Sequence, residues 1–196
     1  MIEQSTLREG VRRAYSAVGR HPDGDHPFAV GRRFAEGLGY PAEMLARLPA
    51  ASVEAFTGVS NVGLFAEIPP GAYVLDVGCG AGLDTLIAAE RAGLTGQVMG
   101  IDFSATMLAR ARRSAEASSG ENIRLAQAGA EALPAPDESV DVALVNGIFN
   151  LNPERDRIFA ELGRVVRPGG LVFAAELILR EPSLAAAPDS LDDWFS

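Results

Sequence analysis

From residue 71 onward the chain alternates short apolar runs with amphipathic segments, and that alternation leaves few architectures open. AYVLDV (72–77) reads as a buried strand, bounded by Pro69-Pro70-Gly71 in front and by glycines behind. LDTLIAAERAG follows as a helix, with Leu83, Leu86 and Ile87 on one face and Gly93 as its left-handed stop. QVMGID, NIRLAQAG, SVDVALVNG and LVFAAELIL read as the second to fifth strands. Ser104 is placed to cap the helix after the second strand, which carries Met107, Leu108, Ala111 and Ala115 along one side. Asn152-Pro153-Glu154 predicts the start of the last helix: a cap, a proline in the first turn and an acid at the positive end of the dipole. Its apolar face is expected to be Ile158, Phe159, Leu162, Val165 and Val166, and Arg167-Pro168-Gly169-Gly170 its end. Alternation with short connections implies an α/β fold, a doubly wound, mostly parallel sheet covered on both faces. Such sheets bind ligands beyond the carboxyl ends of their strands. The glycine loop, Asp102, the end of the third strand and Asn146 all fall at such ends.

The 196 residues suit one domain, or one domain with an added segment. Residues 1–70 differ from the rest. LREGVRRAYSAV sets Leu7, Val11, Ala14 and Val18 at helical spacing. Two shorter helical pieces, FAVGRRFAEGLG and PAEMLARLP, are broken by Gly37, Gly39, Pro41 and Pro49. We expect 1–70 to form a helical cap or lid over the ligand edge of the sheet, and 71–196 to be the ligand-binding domain. The net charge is −9, and all 17 basic residues are arginine. The pairs Arg12–Arg13, Arg32–Arg33 and Arg112–Arg113 read as solvated helix faces, so no nucleic-acid partner is expected. Cys79 is the single cysteine, which rules out an internal disulfide and a Cys-rich zinc site. The N-terminus lacks an apolar signal core, and no apolar run approaches the roughly 20 residues that span a bilayer, so a cytoplasmic protein is expected.

The loop 76-DVGCGAGLD-84 discriminates among ligands. Three glycines in five positions, Gly78, Gly80 and Gly82, point to backbone passing close to something. A dinucleotide fingerprint would place its third glycine where Leu83 stands, and a P-loop needs a lysine that this chain does not have. Asp102 follows Gly82 by 20 residues and ends the second strand, where a carboxylate can accept from two ribose hydroxyls.

VLDVGCGAG, then VMGID, then AGAEALPAPDESVDVALVNG, then LGRVVRPGG, in that order, resemble the class I S-adenosylmethionine-dependent methyltransferases. Within them the chain is most similar to the branch of the ubiquinone/menaquinone-biosynthesis and arsenite methyltransferases, over about residues 57–180. The resemblance implies a Rossmann-like sheet and S-adenosyl-L-methionine as cofactor, with S-adenosyl-L-homocysteine as product. It implies that Gly78, Cys79, Gly80 and Gly82 form the loop against the methionine part, anchored by Asp76. Asp102 is implied as the ribose acid, Phe103 and Met107 as neighbours of the adenine, and Asn146 as a residue near the methionine carboxylate or the reacting methyl. The acid that commonly meets the adenine amino group is replaced here by Gly129. Adenine recognition then falls to the backbone at Gly129 and Ala130, or to Glu131, which otherwise reads as a solvated loop acid. Asn61 is a turn residue by its own pattern and a cofactor-lining residue by resemblance. Arsenite relatives carry reactive cysteines before the first strand and after the fourth. TGVSNVG (57–63) and VNGIFNL (145–151) hold none; Ser60 or Val62 and Gly147 stand where thiols would be sought. Soft As(III) needs thiolates, so an arsenite acceptor is not expected. The family sheet continues past the fifth strand with a helix and two more strands. The sequence ends at LDDWFS, so those strands are expected to be missing, and an uncovered edge invites a homodimer.

Methyl transfer is an in-line displacement in which the protein chiefly positions a small-molecule acceptor. A base is needed only if the acceptor loses a proton. Tyr15, His21 and His26 are the candidates, with Glu176 behind them. Tyr15 reads first as core packing and second as a lid residue touching cofactor or substrate, and the histidines, in the loop HPDGDHP, as exposed residues. Two histidines with two aspartates do not make a metal site, so no metal is expected. Three functions stay open: a small-molecule methyltransferase, a member that binds the cofactor without turnover, and a nicotinamide oxidoreductase, which the glycine spacing disfavours.

Overall fold

The computed structural model describes residues 4–118 and 120–178. The tail EPSLAAAPDS, expected from its alanines and prolines to be mobile, and the terminal LDDWFS lie outside these residues. The N-terminal part is helical: α1 (Gln4–Arg20), α2 (Arg32–Gly37), α3 (Ala42–Arg47), α4 (Ala50–Val53) and α5 (Val62–Phe65). In α1 the expected face is Leu7, Val11 and Val18, all buried, with Ala14 half-buried. The paired arginines Arg12–Arg13, Arg32–Arg33 and Arg112–Arg113 are all exposed.

The strands are β1 (Tyr73–Val77), β2 (Gln97–Asp102), β3 (Ile123–Gln127), β4 (Val140–Asn146) and β5 (Val166–Ala175). They form one sheet in the order β3-β2-β1-β4-β5, and every neighbouring pair is parallel. Helices α6 (Leu83–Ala92), α7 (Ala105–Ala117) and α8 (Arg155–Val165) make the crossovers; residues 128–139 connect β3 to β4 without a helix. The order reverses between β1 and β4, so the crevice for a ligand opens above their carboxyl ends.

Period-two alternation sets the two cores. Val74 packs with Leu86, Val98 and Leu144 on one face. Leu75 and Val77 pack with Ile158 and Leu162 of α8 on the other. Asp76 therefore shares the face of Val74. Helix α6 is buried on two sides: Leu86 meets the sheet, while Leu83 and Ile87 meet Tyr40, Leu45 and Phe56 of the N-terminal segment. The single face expected for these three residues is thus split between two layers.

Two further expectations are corrected. Helix α8 begins at Arg155, because Asn152 turns its side chain onto the Glu154 N–H (2.9 Å) just ahead of the helix instead of capping it. The Arg-Pro-Gly-Gly segment does not separate helix from strand. β5 starts at Val166, and these residues form an irregularity between the pairs Val140–Val166 and Val142–Leu171. Sheet pairing here overrides the local turn signal. Val166 is consequently a strand residue, and Phe159 is exposed (55%), stacked on Phe149 with ring centroids 4.7 Å apart.

Candidate functional site

A cavity of about 410 Å³ lies over the carboxyl ends of β1, β2, β3 and β4. Asp76, Gly78, Cys79, Gly80, Asp102, Phe103, Gly129, Ala130, Glu131, Asn146 and Tyr15 all line it, so five separated stretches of sequence meet there. Gly82, Met107, Asn61, His21 and His26 do not line it.

The three loop glycines have three different reasons. A Cβ on Gly78 would run into Ile148 Cδ1, and one on Gly82 would press on Ala111 of α7 at 3.2 Å. A Cβ on Gly80 would meet only Met107 Cε, at 3.7 Å, so it would project into the cavity. Gly80 alone is the glycine whose missing side chain leaves room for a ligand. Its φ of +54° is left-handed, which also favours glycine. The loop is fixed by Cys79 N–H donating to Ile101 O (2.8 Å) and Gly80 N–H donating to Asp102 Oδ2 (2.9 Å). Met107 is wholly buried beneath it, with Val18, Ala55 and Ala81.

Asp102 is buried (6% exposed) and also accepts from Ser104 N–H through Oδ1 (2.7 Å). Each oxygen keeps a second acceptor direction. Burial pushes its carboxyl up to about 6, against the pull of the two N–H donors. Asp76 accepts from Thr85 Oγ1 at 2.5 Å; burial and then Asp84 push it up to about 8. The Cys79 thiol is raised by burial and by Asp76, so it stays protonated, with Sγ turned toward Gly100 of β2.

Asp84 was not singled out in the sequence. It sits in the first turn of α6, buried, and binds three segments. Oδ1 accepts from Tyr40 Oη (2.5 Å) and Gly63 N–H (3.0 Å); Oδ2 accepts from Asn146 Nδ2 (2.9 Å). Burial raises its pKa, opposed by these donors. Asn146 spends its whole amide inside the protein: Oδ1 accepts from Val59 and Ser60 N–H (2.8 and 3.1 Å), and Nδ2 donates to Ser60 O (2.8 Å) and Asp84. It fastens residues 57–63 to the sheet. Asn61 does the local part of this, its carbonyl accepting the Leu64 N–H at the start of α5 (2.9 Å).

Tyr15 stacks on Phe28 (4.8 Å) and meets Phe103 edge-on (6.3 Å). Burial, and then Asp102, raise its phenol, which therefore stays protonated at neutral pH and can donate but not act as a base. His26 Nε2 pairs with His21 O (2.8 Å) in their own loop. Glu176 accepts from the Asn150 N–H (3.0 Å), and it too stands outside the cavity lining. Among the described residues no three metal-ligating side chains cluster, and no helix is long and apolar enough to cross a membrane.

The floor of the cavity thus carries Asp76, Asp84 and Asp102, while Arg8 and Arg12 stand on its α1 wall. In its carboxylate form this floor suits a cation, whose binding would draw the proton off Asp76, and it repels a pyrophosphate at the head of α6. The raised carboxyls also set a pH dependence. An unfolded aspartate titrates near about 3.9, so the folded state holds protons that the unfolded chain has released. That contribution is present below the unfolded value and is lost as pH rises through about 6 and about 8. Between pH 6 and 8 the thermal midpoint of the ligand-free protein is expected to fall, with a limiting slope of about 1.4 kcal/mol per pH unit per group. Asp76→Asn should flatten the upper part of that slope in a series of melts; an unchanged slope would remove Asp76 as its source.

Residues 74–170 match a family described as a methyltransferase domain. An arsenite methyltransferase of Halobacterium salinarum is 37% identical over 160 residues, covering 80% of this chain and 41% of that protein. A demethylmenaquinone methyltransferase of Bacillus licheniformis is 40% identical over 111 residues, covering 56% of this chain and 47% of that protein. The chain spans less than half the length of these curated relatives. Among solved structures, an arsenic(III) S-adenosylmethionine methyltransferase from Chlamydomonas reinhardtii superimposes with a TM-score of 0.60 at 31% identity, covering 66% of this chain and 46% of that one. With its parallel sheet ordered β3-β2-β1-β4-β5 and its glycine loop at the head of α6, the chain carries the Rossmann-like domain of the S-adenosylmethionine-dependent methyltransferase family.

Proposed function

We propose that this chain moves a methyl group from S-adenosylmethionine to a small-molecule acceptor by in-line displacement. The observation that carries the reading is one cavity holding the open backbone at Gly80, the ribose-type acid Asp102 and the acidic floor of Asp76 and Asp84. The cofactor supplies an electrophilic methyl on a sulfonium centre, and its ammonium and sulfonium charges match that floor. Gly80 would take its backbone-close part, Asp102 its ribose hydroxyls, and Asp76 its ammonium. Val11, Phe56, Ile148 and Leu151 give the rest of the lining an apolar character, which suits an acceptor with an apolar body, as in the demethylmenaquinone relative. An As(III) acceptor is disfavoured, because the one thiol here is buried and protonated.

Tyr15 is held protonated and both histidines lie outside the cavity lining, so the groups there that can take a proton are carboxylates such as Asp102. With no tyrosine or histidine placed as a base, the second reading is a member that binds the cofactor without turnover. Residues 1–70 act as the lid, a role supported by α1 lying along the cavity and by Asn146 fastening 57–63 beside it. Methyl transfer from labelled S-adenosylmethionine across a panel of quinol, phenol, amine and thiol acceptors decides between the readings. Methylation of one class supports transfer; cofactor binding with no methylated product supports the second reading. Asp102→Ala should weaken cofactor binding by roughly 1.5–3 kcal/mol, the range for hydrogen bonds to a charged group. Unchanged affinity in a folded variant would take Asp102 out of the site.

A further inference from the structure

The pair Arg12–Arg13 is exposed, as its sequence implied, yet it does not stand on an open helix face. A hollow of about 430 Å³ lies between α1 and the first turn of α7, lined by Arg12, Arg13, Ser16, Arg20, Ser104 and Thr106 among others. The four residues from α1 are spaced by three, four and seven positions, so they form one stripe along the helix. The hollow adjoins the cavity, because Glu9, Arg12 and Phe103 line both. Glu9 is the one acid in its lining, against three arginines.

The hydroxyls of this hollow have no proton left to give. Thr106 Oγ1 donates its single proton to Ser16 O (3.0 Å). Ser104 Oγ, 3.1 Å from Thr106 Oγ1, therefore donates to it, and Ser16 Oγ donates to Ser104 Oγ at 3.0 Å. Gln127 Nε2 is turned to Phe103 O (3.0 Å). Neighbouring arginines outside the hollow are engaged as well: Arg8 pairs with Glu131 and Glu154, and Arg110 Nε donates to Gly19 O (2.7 Å). Arg12, Arg13 and Arg20, by contrast, have no hydrogen bond or ion pair among the described residues. Each guanidinium keeps its full fork of donors, a shape that matches two oxygens of a phosphate or carboxylate. Three like charges around one recess repel one another, and an anion between them relieves that repulsion. The chain as a whole has a net charge of −9, so this recess is basic by local arrangement and not by overall charge.

Resting on the methyl-transfer reading for its link to the cavity, we propose that this hollow is an oxyanion subsite, taking a phosphate or carboxylate group. Arg12, shared by hollow and cavity, suits an anion at the far end of an acceptor whose apolar body lies in the cavity. A free anion is the other source of the same chemistry.

Calorimetry on the full chain tests this with 2-naphthyl phosphate, 2-naphthol and inorganic phosphate, each with and without S-adenosylhomocysteine. The wild type should bind the naphthyl phosphate at least about tenfold more tightly than the naphthol. Arg13→Gln combined with Arg20→Gln, at two positions outside the cavity lining, should bring these two probes within about twofold and leave the affinity for S-adenosylhomocysteine unchanged. Arg33→Gln combined with Arg47→Gln removes the same charge at exposed positions outside the hollow and should keep the preference. Tighter binding of naphthyl phosphate than of inorganic phosphate is expected for an anion carried by the acceptor; equal affinity of those two supports the subsite and gives it to a free anion. Equal affinity for naphthyl phosphate and naphthol in the wild type, a preference that survives the loss of Arg13 and Arg20, or one that vanishes with Arg33 and Arg47 would each overturn the subsite. A folded wild type that keeps the phosphate preference but does not bind S-adenosylhomocysteine would overturn the methyl-transfer reading and leave the subsite standing.

Discussion

Asp84→Ala is expected to destabilise the protein by roughly 3–6 kcal/mol, since each buried donor left without its acceptor costs about 1–3 kcal/mol. Three donors lose their partner at once: the Tyr40 hydroxyl, the Gly63 N–H and the Asn146 amide. For a chain of this size that corresponds to a fall of roughly 10–20 °C in thermal midpoint. Asp84→Asn keeps an oxygen for Tyr40 and Gly63 but turns an amide nitrogen toward that of Asn146, so it should cost roughly 1–3 kcal/mol. The loss also frees residues 57–63, because Asn146 is the other clamp on that segment. Thermal unfolding followed by circular dichroism checks the order. An Asp84→Ala midpoint equal to that of the wild type would show that the three contacts do not hold these segments together.

Gly80→Val should have the opposite signature, abolishing cofactor binding while leaving a cooperative melt. Its Cβ has open space except for Met107 Cε at 3.7 Å, so the isopropyl group would stand in the cavity. The left-handed φ of +54° adds about 1–2 kcal/mol of strain, a loss that a domain with a core of this extent can absorb. Gly82→Val is the contrast: there the side chain meets Ala111 of α7, and stability should suffer first. Calorimetric titration and melts of both variants separate the two. Normal binding by a folded Gly80→Val would mean that the ligand does not pass over this loop.

Residues that act at the end of their own strand were legible in the sequence. Asp102 and the glycine loop are placed by local pattern alone, since apolar runs mark the strands and the loop must follow β1. What escaped was set by contacts across the chain. Asp84 looks like an ordinary first-turn acid at the positive end of a helix; its burial depends on Tyr40, 44 positions away, and on Asn146, 62 positions away. Asn146 was placed at the right strand end, but its amide turns to the 57–63 segment, which no periodicity could indicate. The joint action of three glycines likewise dissolved into three causes, two of them steric contacts with Ile148 and Ala111. At the α8–β5 junction the turn residues misled, because pairing with β4 starts at Val166, ahead of them.

The acidic-floored cavity is expected to bind an S-adenosyl cofactor and not a dinucleotide. Titrating the full chain calorimetrically with S-adenosylhomocysteine and, separately, with NAD tests it most directly. Saturable one-to-one binding of S-adenosylhomocysteine, abolished by Gly80→Val, is the expected result, with no binding of NAD, whose pyrophosphate would face Asp76 and Asp84 at the head of α6. Binding of NAD with no heat from S-adenosylhomocysteine would contradict it.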